Sequence, residues 1–364
     1  MDSELLIAQL LRWYDSQGRI LPWRENREVA RSAKSRSAYL ESPGPYRVWL
    51  SEIMLQQTTV ATVIPYYNLF IKKWPNVHTL ARASLDEVLA CWAGLGYYAR
   101  ARNMHRCAKI ISKKLNGKFP ETEMDLMALP GIGSYTAAAI TAIAFNQPAI
   151  AIDANVERVL SRLHAITEPL PKAKKMISTH AQSFIPNPRP GDFTQALMDL
   201  GATVCKPRQP SCYNCPWVKS CKAEAIGEAD TFPRKLPKPA RPERYGVAFW
   251  AVRRDGFILL RRRPEKGLLG GMMEVPGTEW RLEEWSEHEL METFPFIANW
   301  SRLPGSISHS FTHFKLQIIV YIAHIDGRIA RNGGRWYKYS DFQNLALPTL
   351  TNKIIRHVRE YTSY

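Results

Sequence analysis

The chain has 364 residues, 45% of them hydrophobic, which is enough apolar mass for two or three globular domains and excludes a disordered or fibrous protein. Lysine plus arginine exceed aspartate plus glutamate by 49 − 33 = 16, so the field of the whole protein attracts polyanions and points to nucleic acid as a partner. No apolar run approaches the length of a membrane span, the early acidic residues and amphipathic start read as a helix rather than a signal peptide, and the expected setting is reducing and intracellular.

After that first helix, Arg27–Tyr46 combines Arg27, Arg31, Lys34 and Arg36 with Ser42-Pro43-Gly44-Pro45. It reads as a mobile basic insertion, with Pro45 stiffening the entry to the next helix. Apolar residues at helical spacing then predict helices at Val48–Gln57, Val60–Trp74, Leu85–Trp92, Ala101–Leu115, Tyr135–Phe145, Val156–Leu163 and Phe193–Val204. Glu52 is the sole acid on the first of these, a largely apolar helix, where burial raises a carboxyl pKa and suits the group to general-acid duty.

In Leu129-Pro130-Gly131-Ile132-Gly133-Ser134-Tyr135-Thr136, two glycines after a proline make a tight turn between helices. The helix that follows offers unpaired N–H groups to a phosphate oxygen. Such a turn is usually only a turn. With Ser134, Tyr135, Thr136 and the small residues Ala137, Ala138 and Ala139 it matches a helix-hairpin-helix element that grips DNA backbone, a contact that positions without reading sequence. Asp153 opens the next helix, where capping is the ordinary role. Its carboxylate nevertheless emerges from the apolar run Ala149–Ile152 beside that hairpin.

Cys205, Cys212, Cys215 and Cys221 follow in the spacing C-x6-C-x2-C-x5-C, with only Cys91 and Cys107 elsewhere. Four thiolates without an intervening histidine suit one polynuclear iron–sulfur site, and they also suit zinc. A disulfide pair is the alternative for a secreted chain, which this is not expected to be. Lys206 and Arg208 among Pro207, Pro210 and Pro216 make the segment a rigid basic loop. Residues 226–243 carry four prolines among basic residues and read as a stiff linker. Beyond it the period falls to two. Strands are expected at Tyr245–Arg253, Phe257–Arg263, Met272–Val275, Ser306–His313, Lys315–Ile325 and Trp336–Tyr339, and helices at Leu282–Thr293 and Thr349–Tyr361. The expected domains are 1–225, helical, and 244–364, α+β.

The hairpin, the downstream Asp153 and the cysteine loop together resemble the endonuclease III superfamily of DNA glycosylases. Within it, Leu21-Pro22-Trp23-Arg24, Ser51-Glu52 with Leu55-Gln56-Gln57-Thr58, Gly94-Leu95-Gly96-Tyr97-Tyr98 and Ile152-Asp153-Ala154-Asn155 are similar to the adenine DNA glycosylase (MutY) family, over nearly the whole chain. The resemblance implies a multi-domain fold: an all-α helix-hairpin-helix glycosylase domain with a [4Fe-4S] loop held by the four cysteines, plus an α+β Nudix-like C-terminal domain. It implies excision of adenine opposite 8-oxoguanine or guanine in base excision repair, on double-stranded DNA, by a monomer in the bacterial cytoplasm or nucleoid.

By the same carry-over, Glu52 protonates adenine, Asp153 stabilises the sugar cation, and Tyr135 and Asn155 position them. Arg19, Trp23 and Gln195 line the adenine pocket. Gln57 and Tyr97 fill or wedge the stack, Leu95 and Thr58 lie near the opposing base, and Gly131, Gly133 and Ser134 hold the backbone. Tyr135 stands where strand-cleaving relatives carry a lysine nucleophile, so the resemblance implies a monofunctional enzyme. The Nudix metal box fits only from Gly277 to Glu283 and then lacks its arginine and paired glutamates, so metal-dependent hydrolysis is not expected. Phe311-Thr312-His313 is similar to the loop that senses 8-oxoguanine, with Thr312 in place of the usual serine, and Ala154 replaces a frequent glycine. The alternatives are a relative acting on another base, such as a thymine mismatch glycosylase, and a non-enzymatic iron–sulfur protein that scans DNA or senses redox state.

Overall fold

The computed structural model describes residues 2–24, 44–237, 239–326 and 334–362. The chain divides into two units, Met1–Arg82 with Asn103–Pro237, and Ala83–Arg102 with Lys238–Tyr364. Most of the basic stretch 27–46 lies outside the described residues. From residue 44 onward Gly44 caps a helix and Pro45 takes its first position, where the missing N–H costs nothing.

The first unit is helical. At its centre lies Ser134–Phe145, buried along Thr136–Ala144 because alanines let its neighbours approach closely. Glu123–Met127, Pro45–Leu55 and Pro190–Thr203 all pack against it. Pro190–Thr203 also packs on Ser3–Gln17 and on Ala154–His164. The helix expected to reach Gln57 ends at Leu55, since Gln57 takes a left-handed φ of 56°. Val77–Arg82, Glu123–Met127 and Lys174–Gln182 were not legible in the sequence, being too short for two full apolar repeats. No helix among the described residues is long and apolar enough to cross a membrane.

The second unit carries one mixed sheet of β1 (Glu243–Arg253), β2 (Ile258–Arg262), β3 (Met273–Glu274), β4 (Ser301–Arg302), β5 (Ile307–Ser310), β6 (Lys315–Ile325) and β7 (Gly334–Tyr337). Its order is β3-β2-β1-β6-β4, with β5 also on β6 and β7 on β2. β1 and β6 run parallel, from Glu243 opposite Lys315 to Arg253 opposite Ile325. Alternation along β1 sends Ala248, Trp250 and Val252 to a core with Ile354, Ile355 and Val358 of the helix Thr349–Tyr361. Val247 and Phe249 face the other way, onto Leu290 and the rings of Phe294 and Trp300.

Two expectations shift here. The helix expected from Leu282 begins at Glu287, because Ser286 and Glu289 close a capping box that fixes its start. The strand expected to reach His313 stops at Ser310. The Phe311 N–H donates to the Phe314 carbonyl at 2.9 Å, and this closes a tight turn between β5 and β6. Phe311, Thr312 and His313 therefore occupy a hairpin turn rather than a strand.

The cysteine loop is tied to Ala154–His164 through Arg162, which is 1% exposed. Its guanidinium donates to the carbonyls of Phe232 (3.1 Å), Lys206 (2.8 Å) and Pro207 (3.0 Å) and to Cys205 Sγ (3.3 Å). Replacing Arg162 by alanine strands several buried acceptors and is expected to cost about 3 kcal/mol or more. Denaturant unfolding checks this, and a loss below about 1 kcal/mol contradicts it.

Candidate active site

The helices of the first unit enclose a cleft of about 1170 Å³ whose walls include Arg19, Trp23, Arg24, Glu52, Gln57, Thr58, Tyr135, Asp153, Asn155 and Gln195. Residues from distant parts of the sequence thus meet in one place. Trp23 is held edge-on to Tyr67, with ring centroids 5.3 Å apart. Gln195 donates to the Gly191 carbonyl at 3.3 Å, and Gln56 to Thr136 Oγ1 at 3.1 Å.

Glu52 projects from the buried helix Pro45–Leu55 and is 5% exposed. Burial lifts its carboxyl to about 7. A hydrogen bond from Tyr135 pulls the other way, the Asp153 charge adds to the rise, and the Arg24 charge opposes it. Its Oε2 is buried and has no hydrogen-bond partner. A carboxyl poised near neutrality, with one oxygen free and turned into a cleft, can give and take a proton. Tyr135 stays a phenol, since burial and the two nearby carboxylates push its pKa well up.

Asp153 does cap the helix Ala154–His164. Its Oδ1 accepts from the N–H of Asn155 (2.9 Å) and Val156 (2.8 Å), and its Oδ2 accepts from Asn155 Nδ2 at 2.6 Å. Three donors at one carboxylate fix its orientation. Asn155 Oδ1 in turn accepts from Arg158, whose guanidinium also donates to the carbonyls of Cys205 (2.7 Å) and Gly201 (2.8 Å). Two carboxyl groups in one cleft, one with its pKa raised to about 7 and one held by three hydrogen-bond donors, are the equipment for cleaving a glycosidic bond.

The hairpin is present as Glu123–Met127, a turn, and Ser134–Phe145. Gly131 has φ 82°, and a Cβ there would meet Asn103 Cβ at 2.7 Å, so the turn needs glycine. Gly133 sits at the N-cap with no side-chain bond, which leaves the first N–H groups of the helix and the exposed Ser134 open at the surface.

Leu95, Tyr97, Phe311, Thr312 and His313 all belong to the second unit. The exposed Tyr97 has φ 46°, and its hydroxyl lies 2.7 Å from Thr312 Oγ1. Phe311 stacks on Trp280 with centroids 5.4 Å apart, while Thr312 and His313 remain exposed at the tip of the turn. Leu95 is buried.

Burial raises the thiols of Cys212 and Cys215 to about 12 and that of Cys221 upward, and the neighbouring thiols add to each rise. Among the described residues no group of three or more His, Cys, Asp or Glu is closed around a single metal position. The donor set still suits a four-thiolate site. All four sulfurs lie on one loop and feel one another's charge, and Arg162 donates to Cys205 Sγ.

Sequence reasoning missed Asp199, which lines no motif and holds Arg19 and Arg24 in the wall. A signal was available: Asp199 is the sole charged residue of the expected helix Phe193–Val204 and lies one helical turn from Gln195. Arg158 and Arg162 were also passed over, as charges on a helix whose solvent face is the ordinary place for them.

Residues 50–187 match the family described as HhH-GPD superfamily base excision DNA repair protein, and residues 247–357 match the NUDIX domain. A thermostable thymine-DNA glycosylase superposes with a TM-score of 0.52 at 25% identity, over 62% of this chain and 97% of that one. A trapped endonuclease III–DNA covalent intermediate gives 0.50 at 22% identity, over 62% and 98%. The helical unit with its hairpin and two-carboxylate cleft is that of a helix-hairpin-helix DNA glycosylase, a hydrolase of N-glycosidic bonds. Curated relatives narrow the class. The adenine DNA glycosylase of Rattus norvegicus is 36% identical over 97% of this chain and 77% of its own length, and that of Homo sapiens 36% over 96% and 73%. That of Buchnera aphidicola subsp. Baizongia pistaciae is 32% identical over 100% and 99%. The chain belongs to the adenine DNA glycosylase family.

Two outcomes are expected. Because the folded pKa of Glu52 is raised from 4.5 to about 7, the native state is at its best below the lower value and loses stability as pH climbs through the higher one. Glu52→Gln removes that loss, so at about pH 8 the variant should be more stable than wild type by up to about 3 kcal/mol, with no gain near about pH 4. Thermal melts across that range decide it, and a gain independent of pH contradicts the account. Gly201→Ala would place a Cβ 2.6 Å from Asn155 Cβ and 3.0 Å from its carbonyl oxygen. Displacing Asn155 should slow single-turnover adenine release by roughly tenfold or more, and an unchanged rate would show that Asn155 need not hold its place.

Proposed function

We propose that this adenine DNA glycosylase removes adenine paired with 8-oxoguanine or guanine in double-stranded DNA and leaves the sugar–phosphate strand intact. The observation that carries the proposal is the buried, half-protonated Glu52 sharing a cleft with the hydrogen-bonded Asp153. The adenine must leave the helix stack to reach that cleft, where Arg19, Trp23 and Gln195 form its walls. Glu52 passes its proton to N7, and the C1′–N9 bond breaks with its electron pair going to the purine. Asp153 stabilises the resulting oxocarbenium ion. The Glu52 carboxylate then takes a proton from the water that adds to C1′, leaving an abasic sugar and free adenine.

Tyr135 holds Glu52 by its hydroxyl and Asn155 orients Asp153, so a phenol rather than an amine stands at position 135. The lysine lining the cleft, Lys174, is paired with Glu157 at 3.1 Å. The 8-oxoguanine is read by Phe311, Thr312 and His313, with Gln57, Thr58, Leu95 and Tyr97 at the opened pair, and Gly131, Gly133 and Ser134 grip a phosphate. Residues 1–225 form the glycosylase domain, 226–243 the linker and 244–364 the recognition domain of a monomer that works in the bacterial cytoplasm or nucleoid. Cys205, Cys212, Cys215 and Cys221 hold a [4Fe-4S] cluster, which supplies a rigid anchor for the basic loop, because hydrolysis moves no electrons. The thymine reading loses its ground: the curated relatives that span the whole chain, C-terminal domain included, are adenine glycosylases.

Asp153→Asn should lower adenine release by roughly a thousandfold or more while DNA affinity stays within a few-fold. Release at the wild-type rate contradicts the assignment, and so does a borohydride-trapped covalent complex in the wild type. Purified protein should contain about four iron atoms and absorb near roughly 400 nm. Stoichiometric zinc without iron overturns the cluster.

A further inference from the structure

Asp199 is fully buried in the middle of Pro190–Thr203. Its Oδ2 accepts from the Arg19 backbone N–H at 2.7 Å and from Arg24 at 2.9 Å, and its Oδ1 accepts from Arg19 Nε at 2.7 Å. Both arginines line the cleft that holds Glu52, and the Arg24 charge acts on Glu52 directly. One carboxylate therefore ties down two guanidinium groups and the backbone between helix Ser3–Gln17 and Trp23. It cannot touch adenine itself, having no exposed surface. With Nε engaged, Arg19 keeps its terminal donors for the cleft.

We infer that Asp199 is a positioning residue for base release, fixing Arg19 in the wall of the cleft and compensating the positive charge that Arg24 places beside Glu52. The inference rests on the reading of Glu52 as the proton donor. The charged and titratable groups facing Glu52 are Tyr135 from the hairpin helix, Asp153 from the cap of Ala154–His164, and Arg24, itself backed by Tyr14 and Asp199. Neutralising Asp199 would leave the Arg24 charge uncompensated, and a more positive field favours the ionised form of Glu52. The enzyme would then lose its donor proton at lower pH. Loss of a merely structural ion pair would depress the rate alike at every pH.

The experiment is single-turnover adenine release from an A opposite 8-oxoguanine duplex, measured from about pH 5 to about pH 9 for wild type, Asp199→Asn, Asp199→Glu and Arg24→Gln, with thermal melts alongside. For Asp199→Asn the descending limb should move down by about one pH unit, so that activity falls roughly tenfold at high pH and little at low pH. Asp199→Glu should return the limb toward its wild-type position. Arg24→Gln removes a positive charge and should move the limb upward, which keeps the test open if Asp199→Asn does not fold. A limb that stays in place in the folded variants overturns the inference. Glu52→Gln in the same assay separates the two readings. If it releases adenine at the wild-type rate, the donor assignment fails. If it is inactive while the Asp199→Asn and Arg24→Gln limbs do not move, the positioning role alone fails.

Discussion

A carboxyl group deprived of water is the constraint on which the cleft depends. Glu52 stands on a largely apolar helix, and its pKa is raised to about 7 because burial leaves the ionised form without solvent, with the nearby Asp153 adding to the rise. The surrounding architecture keeps that situation from collapsing. Alanines of Ser134–Phe145 bring Pro45–Leu55 close, and that same helix delivers Tyr135 to Glu52. Arg24 supplies a compensating charge, moderated by Asp199.

Asp153 is held by a different logic, from the opposite direction. Hydrogen bonds from two backbone N–H groups and from Asn155 hold its carboxylate in place, and Arg158 holds Asn155. Arg158 and Arg162 leave the same helix to grip the cysteine loop through Cys205, Lys206 and Pro207. One helix thus positions the Asp153 carboxylate at its N-terminus and the cysteine loop along its side. Close packing of Gly201 on Asn155 locks that helix to Pro190–Thr203, which carries Gln195 and Asp199.

Much of this was legible because the decisive residues break local rules. Glu52 is an acid on an apolar helix, Asp153 follows four apolar residues, and four cysteines crowd into one loop. The segment Thr349–Tyr361 matches its expected bounds, since several repeats fix the period. What failed depends on local geometry that the apolar period does not carry. Short helices lack a readable period, the capping box at Ser286 overrides the apolar run before it, and the Phe311–Phe314 turn was hidden within a strand-like pattern. Asp199 was passed over because its meaning lies in Arg19 and Arg24, far away in the chain.

The most direct test of the central claim uses four duplexes that differ in a single pair: A opposite 8-oxoguanine, A opposite G, T opposite G, and A opposite T. Each is incubated with the purified protein, and half of each sample is then treated with alkali. The two-carboxylate cleft without an amine nucleophile predicts adenine loss from the first two, with strand breaks appearing only after alkali. Release of thymine, or breaks without alkali, would contradict the account.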